Sequence, residues 1–372
     1  MKIGILGTRG IPNAYGGFEQ FASFLAEGLV ARGHEVFVYN SSAHPYQAEI
    51  WQGVRIIHRK DPENKLGSFG QFIYDFNCLA DARKRTFDIV LHLGYTSSSV
   101  WHWLWPKHAI NITNMDGLEW KRTKYSKLTR HFLKRAEYWA AKNSDRLIAD
   151  SRGIQEYLHQ KYQKASVYIP YGARVFDHPD QSVMNEWSLA PKNYCLLIAR
   201  MEPENNIGMI IEGYLQSGLT MPLMIVGNIQ NKYGSRLRKK YLQKQIVFSE
   251  GIYDQVKLNN LRYFAYLYFH GHSVGGTNPS LLEAMACSCK IIAHSNPFNR
   301  AILEDKALYF EQADGVAVAI KASLVHYGTM EENALFNLQK IISTYNWPTI
   351  VDQYEHQFHV EFQAKKSAQL AK

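Results

Sequence analysis

Lys2-Ile3-Gly4-Ile5-Leu6-Gly7-Thr8-Arg9-Gly10-Ile11-Pro12-Asn13-Ala14-Tyr15-Gly16-Gly17-Phe18-Glu19 opens the chain. A short apolar run passes into a glycine-rich loop, and a helical repeat follows at Phe18, Phe21, Leu25 and Leu29. Strand, loop and helix in that order begin a parallel α/β unit. Glycines let backbone N–H groups approach a ligand closely, and a helix N-terminus favours an anion. Gly7-x-x-Gly10 is not a dinucleotide fingerprint, which needs Gly-x-Gly-x-x-Gly within a tight turn. The second apolar run ends Val38-Tyr39-Asn40, without the acidic residue that would hold a ribose. A nicotinamide-dependent dehydrogenase therefore loses most of its support.

The same alternation continues outward from this stretch. Candidate strands fall at 2–6, 35–39, 54–58, 87–93, 109–115, 146–150 and 167–169. Several are continuously apolar, as strands buried on both faces must be. Helical spacing recurs at Phe69, Phe72, Ile73 and Phe76, and again at Tyr125, Leu128, Phe132, Ala136 and Trp139. The pattern breaks after Pro170-Tyr171-Gly172, where 173–192 is polar and carries Pro179 and Pro191. A domain boundary belongs there. A second series then begins, with candidate strands at 194–199, 223–226, 246–248, 266–269, 290–293 and 308–310. Two α/β domains are expected, with ligands at the carboxyl ends of their parallel strands.

Composition narrows the class. With 46% hydrophobic and 20% charged residues in 372, the chain is globular and core-forming. No apolar run approaches the roughly 18 residues of a membrane-spanning helix. The first residues lack the apolar region of a signal peptide, so a cytoplasmic location is expected. Four cysteines, at 78, 195, 287 and 289, match no zinc or Cys-x-x-Cys spacing and read as small free core thiols. The net charge of +9 favours anionic partners: nucleic acid, a membrane surface or phosphorylated small molecules. Nothing resembles a nucleic-acid-binding module, and no nucleic acid is expected as a partner.

The strongest local signal is Gly271-His272-Ser273-Val274-Gly275-Gly276-Thr277-Asn278-Pro279-Ser280-Leu281-Leu282-Glu283-Ala284-Met285-Ala286. Asn278 is a good N-cap and Pro279 suits the first helical position. A helix starting here would present the free N–H groups of Ser280 and Leu281 to a ligand. Gly275 and Gly276 would let phosphate oxygens come close. Glu283 lies on the same helix, where a carboxylate can accept both hydroxyls of a ribose.

These segments together resemble bacterial rhamnosyltransferases of glycosyltransferase family 4, with a DUF1972-type N-terminal domain. Gly7 to Glu19 is similar to their opening loop, and Arg32-Gly33-His34-Glu35-Val36 to their entry into the second strand. Ile198-Ala199-Arg200-Met201-Glu202-Pro203-Glu204-Asn205-Asn206 is similar to their strand-end Arg followed by Pro-Glu-Lys-Asn, with Asn205 in place of the Lys. Tyr345-Asn346-Trp347-Pro348 through Tyr354 is similar to the family's ending.

The resemblance implies an α/β protein of the GT-B type, two Rossmann-like domains with parallel sheets facing a central cleft. Residues 1–175 would bind acceptor, 176–345 would bind nucleotide sugar, and 346–372 would form a helix crossing back to the first domain. It implies transfer of L-rhamnose from dTDP-L-rhamnose to a polyprenyl-diphosphate-linked sugar in cell-surface polysaccharide synthesis. No cofactor and no bound metal are implied. Donor contacts would come from Gly16, Gly17, Arg200, Gly227, Tyr253, Gly276, Thr277, Asn278, Pro279, Ser280 and Glu283.

Arg200 offers a planar fork suited to diphosphate, and Arg9 could assist it where Asn205 has removed a charge. An ion pair with Glu202 or Glu204 is the other role open to Arg200. Where the family usually carries a first Glu, seven residues before Glu283, this chain has Gly275. That fits a 6-deoxy sugar, with His272 the nearest polar group to replace the carboxylate, unless it only caps the preceding strand.

On the acceptor side, relatives often have His-Asp where this chain has Met115-Asp116. Asp116 is the candidate base or positioning group, or a cap for the turn at Gly117. Glu19 is a second candidate, or a first-turn carboxylate that complements the helix dipole. His92, Tyr95 and Glu119 would line the acceptor site. The basic stretch from Lys121 to Lys142, interleaved with Trp120, Tyr125, Leu128, Phe132 and Trp139, fits peripheral contact with an anionic membrane. A buried apolar stripe with a solvated basic face fits it equally. Two alternatives stay open: the same machinery with a UDP-hexose donor, and a sugar-binding relative without catalysis.

Overall fold

A computed structural model describes residues 1–14, 16–122, 125–242, 245–252 and 254–370. The chain divides into two compact units. The first takes 1–121, 125–171 and 347–372, and the second takes 122–124 and 172–346.

In the first unit the strands are β1 (Lys2–Leu6), β2 (Glu35–Ser41), β3 (Ile50–Trp51), β4 (Val54–Arg59), β5 (Ile89–Leu93), β6 (Ile110–Asn114), β7 (Arg146–Ala149) and β8 (Ser166–Tyr168). Its first helices are α1 (Gly17–Ala31), α2 (Glu63–Leu66), α3 (Ser68–Ala82), α4 (Lys127–Asn143) and α5 (Arg152–Tyr162). They build an eight-stranded sheet in the order β3-β4-β2-β1-β5-β6-β7-β8. All pairs are parallel except β3 with β4. β3 is too short to leave a periodic trace in the sequence. Order reverses around β1, which pairs β2 on one side and β5 on the other, in the manner of a doubly wound sheet. Every residue of β5 is buried. Tyr39, Tyr74 and Phe87 pack on one face of this sheet, and Phe21, Leu25 and Leu29 of α1 are buried as well.

The second unit holds β9 (Cys195–Ile198), α6 (Ile207–Ser217), β10 (Leu223–Val226), α7 (Lys232–Lys240), β11 (Ile246–Ser249), α8 (Gln255–Phe264), β12 (Leu267–His270), α9 (Pro279–Ala286), β13 (Ile291–His294), α10 (Pro297–Leu303), β14 (Leu308–Phe310), α11 (Ala313–Val325) and α12 (Tyr327–Ser343). Its six-stranded sheet runs β11-β10-β9-β12-β13-β14, with every pair parallel. Leu197, Ile225, Phe269 and Ile292 from four adjacent strands meet Ile210, Ile211 and Tyr214 of α6 in one core. All four cysteines are buried, free thiols.

The last helix, α13 (Trp347–Leu370), packs with the first unit. Gly28 of α1 makes this possible: a Cβ there would lie 2.7 Å from a Val351 methyl. Trp347 stacks on Phe24 at 4.6 Å, and Tyr354 meets Phe21 at 5.3 Å. The Tyr354 hydroxyl accepts from Asn114 Nδ2 at 2.9 Å, and both residues are buried. Tyr354→Phe should leave that amide donor without its acceptor and cost about 1–3 kcal/mol. Urea unfolding of the full chain measures it, and an unchanged midpoint would show that the bond carries no stability.

Candidate active site

The carboxyl ends of β9 and β12 gather most of the donor residues expected from the sequence. Arg200 follows β9, and its backbone is pinned: its carbonyl accepts from Glu202 N–H at 2.8 Å and from Asn205 Nδ2 at 2.7 Å. Its guanidinium is exposed and takes part in no ion pair among the described residues. Glu202 and Glu204 pair instead with Arg122, at 3.2 and 3.8 Å. Asn205, where the resemblance places a Lys, is buried and spends its amide on Arg200. Ser273 donates both its N–H and its hydroxyl to the Glu204 carbonyl, at 3.0 and 2.8 Å. Asn206 Nδ2 reaches the Gly271 carbonyl at 2.8 Å. The loops after β9 and β12 are therefore stitched together by short polar side chains. Arg9, expected as a helper for Arg200, is committed elsewhere, with Nε and Nη2 on the two oxygens of Glu63 at 2.9 and 2.6 Å.

The glycines here have different reasons. A Cβ on Gly227 would lie 2.1 Å from the Ala199 carbonyl, so close approach of the β9 and β10 ends demands glycine at that point. Gly275 has φ +130°, a conformation closed to other residues, and a Cβ there would meet nothing. The position where a carboxylate was expected is thus open space.

Helix α9 begins at Pro279, and Asn278 caps it in extended conformation. Asn278 Oδ1 accepts Ser280 N–H at 2.9 Å, and the Asn278 carbonyl accepts Leu281 N–H at 3.0 Å. The two N–H groups expected to be free for a ligand are therefore satisfied within the cap, a correction to the sequence-based expectation. The cap itself explains it: a strong N-cap consumes the donors that a bare helix end would offer. The Ser280 hydroxyl is bonded to Tyr268 Oη at 2.7 Å, and Thr277 is buried. Gly276 precedes this cap, and Tyr253 lies outside the described residues.

Glu283 is bonded to Arg262 of α8, a fully buried arginine. Sequence reasoning missed Arg262, because nothing in its local pattern separates it from a surface charge. The pair holds the carboxylate of Glu283 in one place, and removing either partner would strand a buried charge.

His272 is half-buried two residues past β12. Its carbonyl accepts from Asn296 Nδ2 and Asn299 Nδ2 at 2.9 and 3.0 Å. Its ring stacks on His270 at 4.6 Å, and its Nδ1 has no hydrogen-bond partner among the described residues. Burial, reinforced by the charges of Arg200 and Arg122, lowers its pKa to about 3, so the imidazole is neutral at pH 7.

In the first unit Gly16 caps α1 and Gly17 opens it. Glu19 is buried, and its Oε1 accepts the Arg9 N–H at 2.8 Å. It braces the glycine-rich loop from within the first turn of α1. His92 lies inside β5, fully buried, stacked on Trp105 at 4.1 Å with Nε2 3.2 Å from Asn111 Oδ1. Tyr95 is also buried, 3.4 Å from both the Gly117 carbonyl and Glu137 Oε2. Neither His92 nor Tyr95 lines an accessible surface, which corrects their expected place in the acceptor site. Burial also pushes the His92 ring down to about 4 and the Tyr95 hydroxyl upward.

Asp116 is half-buried and has φ +48°. Its N–H donates to Asn114 Oδ1 at 3.0 Å, and Tyr171 Oη lies 3.5 Å from its Oδ1. Glu119 is half-buried in the short turn Glu119–Lys121. Below this loop Glu137 accepts from Trp120 Nε1 at 3.0 Å, Tyr157 Oη at 2.7 Å, Tyr162 Oη at 2.6 Å and Lys161 Nζ at 2.9 Å. In the sequence Glu137 is a lone acid among bases; in the fold it is the buried hub beneath the loop that follows β6. Asp75 was missed too. It accepts from Ser97 Oγ at 2.5 Å, and burial raises its pKa to about 7.

Residues 1–174 match the family described as "Domain of unknown function (DUF1972)". No curated protein matches the chain by sequence. Among solved structures, the chain is similar to the sucrose-phosphate synthase of Thermosynechococcus elongatus, at 18% identity over 98% of this chain and 99% of that one, with a TM-score of 0.78. It is similar to HepE of Anabaena, solved with UDP and glucose, at 14% identity over 96% and 99%, with a TM-score of 0.75. It is also similar to WaaG, a glycosyltransferase involved in lipopolysaccharide biosynthesis, at 14% identity over 94% and 97%, with a TM-score of 0.71. With two parallel-dominated α/β sheets and this likeness along nearly its whole length, the chain has the GT-B fold.

Proposed function

We propose that the protein is a glycosyltransferase that moves L-rhamnose from dTDP-L-rhamnose to a hydroxyl of a lipid-linked sugar. The observation that carries the transferase reading is Arg200: an exposed guanidinium on a pinned backbone, outside any described ion pair, at the end of a parallel strand in a GT-B unit. Charge placed in advance where a leaving diphosphate forms is a strong source of rate. In this reading the anomeric carbon–oxygen bond breaks, and the diphosphate keeps the electron pair beside Arg200. The acceptor oxygen bonds the anomeric carbon, and its proton passes to Asp116. Glu283, steadied by Arg262, takes the ribose hydroxyls. The rhamnose assignment rests on Gly275, whose open position offers no carboxylate to a hydroxyl that a 6-deoxy sugar lacks.

A UDP-hexose donor is the second reading, favoured by the shared fold of HepE, which was solved with UDP and glucose. Thermal stabilisation and donor hydrolysis with dTDP-rhamnose, UDP-glucose, UDP-GlcNAc and GDP-mannose separate the two. Selective response to dTDP-rhamnose is expected. Preference for a UDP-sugar would replace the donor, and no response to any donor would favour a sugar-binding relative without catalysis.

A lipid-linked acceptor brings the protein to a membrane, and the first unit offers a matching surface. Leu66, Phe69, Phe76, Trp103 and Leu128 are exposed by 49, 66, 40, 54 and 85%. Ring contacts join Phe69 through Phe72 to Phe132, and Phe76 through Trp101 to Trp103. Lys127 and Arg135 are exposed on α4, the helix that carries Leu128 and Phe132. Apolar rings flanked by lysine and arginine suit an anionic lipid surface. No helix among the described residues is long and apolar enough to cross a membrane.

Arg200→Ala should lower turnover about 100-fold or more. Asp116→Asn should lower it by roughly 100-fold or more while leaving donor affinity in place. Steady-state kinetics with a direct donor-binding titration checks both, and full activity of Asp116→Asn would remove that residue from the chemistry. Phe69→Ser with Trp103→Ser should reduce sedimentation with phosphatidylglycerol vesicles and leave donor binding intact. Equal sedimentation would assign the rings to another role.

A further inference from the structure

His34, Glu355 and His359 are none of the candidate donor or acceptor residues named above. His34 sits in the turn between α1 and β2, and Glu355 and His359 lie one helical turn apart on α13. Their ligand atoms all lie within 4.8 Å of one another. His34 Nε2 is 2.8 Å from Glu355 Oε1, and His359 Nε2 is 4.0 Å from that same oxygen. We propose that these three side chains bind a divalent transition-metal ion, with Zn²⁺ the best match, and that the ion staples α13 to the turn ahead of β2.

Donor chemistry selects the metal. Two imidazoles and one carboxylate suit zinc and its neighbours, whereas Mg²⁺ and Ca²⁺ call for oxygen ligands. Tetrahedral zinc, with bonds of about 2.0–2.1 Å, holds its ligand atoms roughly 3.4 Å apart. The 2.8 Å spacing must widen and the 4.0 Å spacing must close, each by less than the swing of a side chain. Arg32 Nε holds the other Glu355 oxygen at 3.3 Å. That contact turns Oε1 towards the imidazoles, as outer-sphere partners of metal ligands do. The His359 side chain is 51% exposed, so an ion can enter and a water can complete the shell.

The competing account is a hydrogen-bonded His–Glu cluster with no ion. Chelator-stripped full-length protein titrated with ZnCl₂ by calorimetry, and with Co²⁺ by visible absorption, separates the two. The chain has fifteen histidines in all, so zinc has other places to bind, and the comparison is with His359→Ala and, independently, His34→Gln. His359 contacts Glu355 and the His34 ring from an exposed position, so the metal-free melting temperature of His359→Ala should stay near wild type. Wild type should bind one more equivalent of Zn²⁺ than either variant. Alternatively, it should bind at least as much more tightly as the roughly 10–100-fold that outer-sphere changes alone produce. It should show a tetrahedral Co²⁺ band that both variants lose, and gain about 2–4 °C in Tm from Zn²⁺ that they do not. Equal zinc responses in wild type and variants, no zinc binding by wild type, or an equal Tm gain from Mg²⁺ would each overturn the proposal.

Discussion

A parallel strand covered on both faces has no side chain left for chemistry. In β5 and β10 every residue is buried, so a polar group there must find a partner inside the sheet or cost about 1–3 kcal/mol. His92 shows the consequence. It is an imidazole in the middle of β5, fully desolvated, stacked on Trp105 and bonded to Asn111. Reactive polar groups can survive only where strands stop, and the sheets bring those stops side by side. Arg200 and His272 follow strands that are neighbours in the sheet, β9 and β12, although 72 positions separate them in the chain.

What holds these strand ends is a set of small polar side chains directed at backbone carbonyls. Asn205, Asn206, Ser273, Asn296 and Asn299 each donate to a carbonyl of the loops around Arg200 and His272. Such bonds fix backbone without adding charge. Asn205, where the sequence resemblance places a lysine, is one such clamp and carries no charge. Arg122 does not replace the missing charge, because Glu202 and Glu204 already face it. Arg200 is left as an exposed arginine on a fixed main chain.

The strands were legible because both-face burial leaves dense apolar runs, and the α9 cap was legible because Asn-Pro has one favourable arrangement at a helix start. What escaped was anything that depends on direction. The sequence places Tyr95 and Asp116 at strand ends alike, yet Tyr95 turns inward to Glu137 and Asp116 stays half-exposed. Glu137 was illegible because its partners lie at Trp120, Tyr157, Lys161 and Tyr162, brought together only by the packing of α4 on α5. Arg262 was hidden for the same reason, its meaning set by Glu283 on the next helix. The expected free N–H groups at Ser280 and Leu281 failed on a local point: the residue that makes the helix start recognisable is the one that uses them up.

The two roles open to Asp116 leave different marks on the loop. A residue that caps its own turn spends its side chain on a backbone N–H two or three positions on. Here that work falls to Asn114, whose Oδ1 takes the Asp116 N–H. Asp116 itself adopts φ +48°, a conformation that Asp tolerates better than most residues but that still carries a cost. The neighbourhood over-determines it: Tyr95 approaches the Gly117 carbonyl from below, Trp120 is tied to Glu137, and the buried Tyr171 approaches the carboxylate from beside it. The Asp116 carboxylate therefore stands on a loop tied down at Asn114, Gly117 and Trp120, with the Tyr171 hydroxyl 3.5 Å from it.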